Sequence, residues 1–170
     1  RDEKELHHPY EPTYMFESAN LPLDRYGIRG VIWYQGESNA HNTEAHERLF
    51  EILVKDWRDY WHDGDMPFLF VQLSSLNRPT WPEFRDSQRR LSYKIRHTGM
   101  AVTSDVGDST DVHPRVKRPV GERLARLALA DVYSRPFYVT HPSAKCGPMI
   151  RKATLNDNGL VILSFDYADG

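Results

Sequence analysis

Apolar positions along this chain follow two rhythms. Short apolar and β-branched runs bounded by turn formers cover Gly30–Gln35, Pro67–Leu73 and Met100–Val106, which predicts three strands. Elsewhere apolar side chains recur at three- and four-residue steps. Ala45, Leu49, Ile52, Leu53, Trp57 and Trp61 predict one helix, with Asn42 as its N-cap. A second opens at Thr80-Trp-Pro-Glu83 with capping-box spacing and sets Phe84, Leu91 and Ile95 on one face, interrupted by Gln88. A third runs from about Val116 to Tyr133, with Val120, Leu124, Leu127 and Ala128 in register. Pro119 falls near its start, where a missing N–H is tolerated.

Strands alternating with helices predict parallel pairing through right-handed crossovers, hence an α/β fold, a three-layer α/β/α sandwich. Three strands make a thin sheet for that architecture, whose edges invite pairing. The sheet is therefore expected to be incomplete on its N-terminal side. Its free edge would be covered by preceding polypeptide or by another copy of the chain in a homo-oligomer. Residues 1–29 carry Pro9, Pro12 and Pro22 without a clear period and read as a loop or wrapping arm to a domain spanning 1–134. From Arg135 the pattern changes: Met149–Leu155 and Leu160–Phe165 flank Asn156-Asp-Asn-Gly159, a hairpin signal. Residues 135–170 thus read as the start of a β-rich extension.

Charge removes several function classes. The 170 residues carry 22 Lys and Arg against 24 Asp and Glu, a net charge of −2. No basic excess points to nucleic acid, and no polybasic block to a membrane surface. The longest apolar runs are strand-sized. The single cysteine, Cys146, excludes an internal disulfide.

In an open α/β sheet the site lies beyond the carboxyl ends of the strands. Those ends carry Gln35-Gly-Glu-Ser-Asn39, Gln72-Leu-Ser-Ser75 and Asp105-Val-Gly-Asp-Ser-Thr-Asp-Val-His113. A histidine preceded by carboxylates at two and five residues, Asp111 and Asp108, can act as a base held by an acid. The alternatives are a solvated Asp-rich turn, or a divalent-cation site built from Asp105, Asp108, Asp111 and His113.

Gly36-Glu-Ser-Asn-Ala40 nearly reproduces the nucleophile elbow, and the order Ser38, Asp108 or Asp111, His113 would fit it. Two features speak against Ser38 as nucleophile. Acid and base would share one short loop, and Glu37 brings negative charge to where an oxyanion must form. Ser109 lies only four residues from His113, leaving little room for a substrate between them.

Gly30-Val-Ile-Trp-Tyr-Gln-Gly-Glu-Ser-Asn39 resembles the Gln-Gly-Glu-Ser-Asn block of the sialate O-acetylesterase family, a branch of the SGNH (GDSL-like) hydrolases. The resemblance continues through Asp56-Trp-Arg58, Pro67–Leu73, Asp105–Asp108, Asp111-Val-His-Pro114, Val120–Ala125 and Tyr133, covering most of residues 12–133. The arm segments Pro12-Thr-Tyr-Met and Leu21-Pro-Leu23 fit it. So do His141-Pro-Ser, Gly147-Pro, Phe165 and Asp169-Gly170 of the tail. It implies an SGNH, flavodoxin-like sandwich whose nucleophilic serine sits in an upstream Gly-x-Ser motif absent from these residues.

By the same resemblance Gln35 would donate to the oxyanion, Gly36 would permit close approach, and Glu37 and Asn39 would brace the loop. His113 would be the base. Asp111 is the first choice to orient it and Asp108 the second, because Thr110 occupies the superfamily's usual acid position; a Ser–His dyad stays open. The implied substrate is an O-acetylated sugar, foremost sialic acid, with no cofactor or metal, in a secreted, periplasmic or lysosomal setting. Acetylxylan or another acetylated carbohydrate is the alternative substrate. The alternative of another class is an inactive carbohydrate-binding fragment, and without its serine this chain alone is expected to be inactive. Trp81 and Arg85 are candidates for substrate binding, Arg85 through a sugar carboxylate. Trp33, Trp57 and Trp61 read as packing aromatics, and Gln72 and Gln88 as cleft or backbone-satisfying amides.

Overall fold

The computed structural model describes residues 8, 10–23 and 26–168. The expectations placed on Pro9 and Asp169-Gly170 lie outside the described residues.

Strands β1 (Val31–Trp33), β2 (Phe68–Val71) and β3 (Thr98–Ala101) form one parallel sheet in the order β1-β2-β3. Every β2 side chain is buried, as expected of a strand covered on both faces. The third strand starts earlier than its apolar run. Thr98 and Gly99 pair with Phe68 and Leu69, and the strand ends at Ala101, so Val102–Val106 belongs to the following loop.

Helix α1 (Thr43–Tyr60) starts where Asn42 accepts the Ala45 N–H at 3.1 Å. Its buried stripe is His46, Phe50 and Val54, flanked by Leu53, Trp57 and Trp61. Leu49 and Ile52, assigned to that stripe from sequence, are exposed. The aromatic ring of Phe50, wedged edge-on against Phe68 and Phe70, sets the rotation instead. Helix α2 (Trp81–Lys94) buries Trp81, Phe84, Ser87, Gln88 and Leu91. The Thr80 side chain caps nothing, so the expected box does not form. Gln88 stays on the buried face because its amide is satisfied by the backbone: it accepts the Leu73 N–H at 2.9 Å and donates to the Val71 carbonyl. Helix α3 (Arg118–Leu127) covers the other sheet face with Val120, Leu124 and Leu127, then loosens into a π-turn over Ala128–Val132.

The arm contains a π-turn at Phe16–Asn20 and a 3-10 turn at Leu21–Leu23, where a loop was expected. Phe16 packs edge-on to Tyr60 at 5.1 Å. Beyond residue 135, two short helices, α4 (Pro136–Thr140) and α5 (Pro142–Lys145), precede the antiparallel hairpin β4 (Met149–Leu155) and β5 (Val161–Asp166). The hairpin turns at Gly159, whose φ of +75° favours glycine. Met149 joins the core with Phe68, Leu91 and Met100.

Among the described residues no strand pairs with the outer edge of β1. Val31 donates inward to the Pro67 carbonyl at 2.8 Å, so the peptide groups of Ile32 point away from β2. The Ile32 side chain is 70 % exposed on one face of this edge. Leu49 is 56 % exposed on the flank of α1 opposite the Glu47–Arg90 and Glu51–Lys94 pairs that tie α1 to α2. Among the described residues no helix is long and apolar enough to cross a membrane.

Candidate active site

Three loops leave the carboxyl ends of the parallel strands, and one apolar floor holds them together. Ala40, Leu73, Trp81 and Phe84 form that floor, with Tyr34, Leu76 and Val112 packed against it. Val112 thereby docks the loop carrying His113 beside the loop carrying Gln35. Hydrogen bonds fasten the loops further: Asn77 N–H donates to the Ser109 carbonyl at 3.0 Å, and the Thr103 hydroxyl donates to the Gln72 carbonyl at 2.6 Å.

The Gln35–Asn39 loop turns sharply because Gly36 adopts φ +149°, and a β-carbon there would meet the Phe84 ring at 3.1 Å. The Glu37 carboxylate accepts the Gly36 N–H at 3.0 Å, and Glu37–Asn39 close a single 3-10 turn. Gln35 is exposed, and its amide makes no hydrogen bond among the described residues. Burial raises the neighbouring Tyr34 phenol above its ordinary value. The Ser74 and Thr103 side chains oppose the rise, and the Glu37 carboxylate adds to it.

Asp111 turns back on its own loop. Its Oδ1 accepts the His113 backbone N–H at 2.8 Å and lies 3.2 Å from His113 Nδ1. The backbone bond, more than the imidazole, holds this carboxyl below the usual range. Asp108 does something different. Its Oδ1 accepts the Thr110 N–H at 2.8 Å, the Thr110 hydroxyl at 2.9 Å and the Asp111 N–H at 3.3 Å, which lower its pKa and staple the turn. The structure therefore brings Asp111 to the imidazole and Asp108 to the backbone. The His113 side chain is 85 % exposed, open to a reactant.

Neither Ser38 nor Ser109 hydrogen-bonds the imidazole among the described residues. The Ser38 carbonyl lies 2.7 Å from His41 Nδ1, and the Ser109 carbonyl is held by Asn77. Asp105 is taken by Arg123, which grips both carboxylate oxygens at 2.6 Å and the Val102 carbonyl at 2.7 Å. That fork accounts for the depressed Asp105 pKa. Among the described residues no group of three or more His, Cys, Asp or Glu is arranged to hold a metal.

The two substrate-binding candidates sit deeper than their types suggest. Trp81 is only 3 % exposed and donates its indole N–H to the Ser74 carbonyl at 2.6 Å, so it belongs to the floor. Arg85 donates to Gln72 Oε1 at 3.1 Å while Gln72 Nε2 donates to the Arg85 carbonyl at 2.9 Å. Arg85 Nε is buried and unpartnered among the described residues, and burial lowers the guanidinium pKa. It braces α2 against the end of β2. A cleft of about 570 Å³ lined by Glu51, Lys55, Arg58 and Arg96 opens at the amino ends of the strands, remote from His113.

Sequence reasoning passed over Gly107 and Arg78. Gly107 packs directly on the Ser75 backbone, and its place within Asp105–Asp108 was the available signal. Arg78 lies over the Trp81 ring, 5.6 Å from guanidinium carbon to centroid, and only the fold reveals that contact.

Known proteins resemble this chain in sequence and fold. A family profile described as carbohydrate esterase, sialic acid-specific acetylesterase, matches residues 5–130. The mouse sialate O-acetylesterase is 33 % identical over 181 residues, covering 93 % of this chain and 32 % of that protein. The human sialate O-acetylesterase is 33 % identical over 147 residues, covering 74 % and 28 %. A crystal structure of a carbohydrate acetylesterase from Xanthomonas citri superposes with a TM-score of 0.75 at 34 % identity, covering 86 % of this chain and 34 % of that one. The chain thus spans about a third of the length of the relatives it matches. With a profile match over most of its length, this chain belongs to the carbohydrate esterase family of sialic acid-specific acetylesterases.

Proposed function

We propose that this chain supplies the base, the orienting acid and the oxyanion donor of an enzyme that removes O-acetyl groups from sialic acid. The nucleophilic serine would come from polypeptide preceding these residues. One observation carries the reading: an exposed imidazole, held by Asp111, shares a floor with the free Gln35 amide, and no serine hydroxyl of the described residues reaches it. The outer edge of β1, unpaired among the described residues with Ile32 exposed on it, supports it further. A strand added there would end beside Gln35, where a serine following it could meet His113.

The chemistry balances without another reagent. The serine oxygen attacks the acetyl carbonyl carbon as His113 takes its proton. The tetrahedral oxyanion receives the Gln35 amide hydrogen bond, a kind of donor worth ~3 kcal/mol of barrier in hydrolases. As the bond to the sugar oxygen breaks, His113 protonates that oxygen. Water, deprotonated by His113, then attacks the acetyl-serine, releases acetate and restores the serine. Family membership also supports an exported setting, whether secreted, periplasmic or lysosomal.

The test is labelling of the longer gene product with a serine-directed fluorophosphonate. The expected adduct lies upstream of Arg1 and is lost with His113→Ala. An adduct on Ser38 would replace this reading with the elbow. No adduct together with retained glycan binding would replace it with a binding module. Parallel turnover of O-acetylated sialic acid and acetylxylan decides the sugar.

A further inference from the structure

Arg78 is a cation without an anion among the described residues. Arg89, Arg90, Arg118 and Arg123 each pair with a carboxylate, whereas among the described residues none stands within ion-pairing distance of Arg78. Its guanidinium rests instead over the Trp81 indole. That ring is fixed: it is buried and anchored to Ser74, so the cation above it is positioned before any ligand arrives. Contact through an aromatic face leaves guanidinium N–H donors free for a planar, two-oxygen acceptor.

Its placement relates it to the reaction site. Asn77, the residue before it, donates to Ser109 on the His113 loop, and Leu76 and Val112 pack on the same floor as Trp81. Two further cations stand near these loops, Lys117 over the Tyr34 ring at 5.3 Å and Arg115 beside Asp108. Arg85, the candidate from sequence, is engaged with Gln72.

We propose that Arg78 is the specificity residue that receives the carboxylate of an acidic sugar, orienting its acetyl ester toward His113 and selecting against neutral sugars. This rests on the esterase reading above. A charge-assisted pair of hydrogen bonds to a carboxylate predicts roughly a tenfold to hundredfold preference.

The experiment compares O-acetylated sialic acid with its neutral methyl ester, using the longer gene product as wild type, Arg78→Gln and Arg78→Lys. The expected result is that Arg78→Gln lowers the acid-to-ester ratio of kcat/KM at least tenfold, chiefly through KM on the acid. Arg78→Lys should keep part of the preference, and added salt should erode it. An unchanged ratio in Arg78→Gln would overturn the proposal. A binding arm needs no turnover: sialic acid, but not its methyl ester, should perturb the tryptophan fluorescence of this chain, and Arg78→Gln should abolish the response. Wild type that hydrolyses neither ester yet shows the acid-selective response sinks the esterase reading and keeps the Arg78 site. Equal response to acid and methyl ester sinks the Arg78 site alone.

Discussion

Gly107 lies against Ser75 so closely that a β-carbon at position 107 would stand 2.3 Å from the Ser75 nitrogen and 2.4 Å from its carbonyl oxygen. The loop that ends in His113 can therefore rest on the loop after β2 only because residue 107 has no side chain. Gly107→Ala must part the two loops. We expect a stability loss of about 1–3 kcal/mol in denaturant unfolding. On the proposed roles, kcat of the complete enzyme should fall more than tenfold while KM changes little, because His113 moves with its loop. A variant with wild-type kcat would show that the loops separate without moving His113.

Asp111 and Asp108 make a second contrast. Asp111→Asn removes the charge beside Nδ1 and should lower kcat roughly 10²-fold or more, with the loop left folded by the amide's remaining oxygen. Asp108→Asn retains an acceptor for the Thr110 and Asp111 N–H groups and should have the smaller effect. Steady-state kinetics of the two variants in the complete enzyme decide it; the reverse order would make Asp108 the acid partner.

His46 predicts an acid-side weakness. Its ring is buried between Phe50 and Phe84, and burial pushes its pKa below the ordinary 6.5, with Glu47 partly opposing. The unfolded chain then binds more protons than the folded one below the unfolded value. The neutral ring's contribution is fully present above about pH 6.5 and is lost as pH falls toward the depressed folded value. Denaturant midpoints at pH 7.5 and 5.5 should differ more for wild type than for His46→Leu. Equal differences would remove His46 from the acid response.

Cys146 should be slow to react. Half-burial raises its thiol to about 11, with Lys145 partly opposing. At pH 8 very little thiolate forms, so alkylation of native protein should lag far behind that of the denatured chain. Equal rates would place the thiol in open solvent.

The β1 edge should make this chain associate when expressed alone. Among the described residues the outer peptide groups of β1 pair with no strand and Ile32 is exposed there, a template for strand pairing. Light scattering should show concentration-dependent oligomers that Ile32→Lys reduces and that the preceding polypeptide abolishes. A stable monomer would contradict the exposed edge.

The element order was legible because it depends on local chemistry. Apolar runs of strand length, the Asn42 cap and the Asn156–Gly159 turn act over a few residues, and each gave its element, although the third strand lies at Thr98–Ala101 rather than over the Met100–Val106 run. The helix rotations were less legible. Leu49 and Ile52 have the right spacing and hydrophobicity, but Phe50 and Val54 meet the sheet, since fit against Phe68 and Phe70 is a property of two surfaces. Thr80 shows the same limit: capping-box spacing is present, yet the backbone there is already helical and the side chain caps nothing.

By itself the amino-acid order determined an alternating α/β chain, its strand-end loops, and the residue types able to hold a base and an oxyanion. Only the tertiary structure decided which of them meet. It put Asp111 against His113 and turned Asp108 to the backbone, gave Asp105 to Arg123, buried Trp81, tied Arg85 to Gln72, and stood Arg78 over an indole with its donors free. The reason is geometric. Loop residues far apart in sequence are brought together by packing on a shared floor, and the close fit of Gly107 on Ser75 sets where they stop.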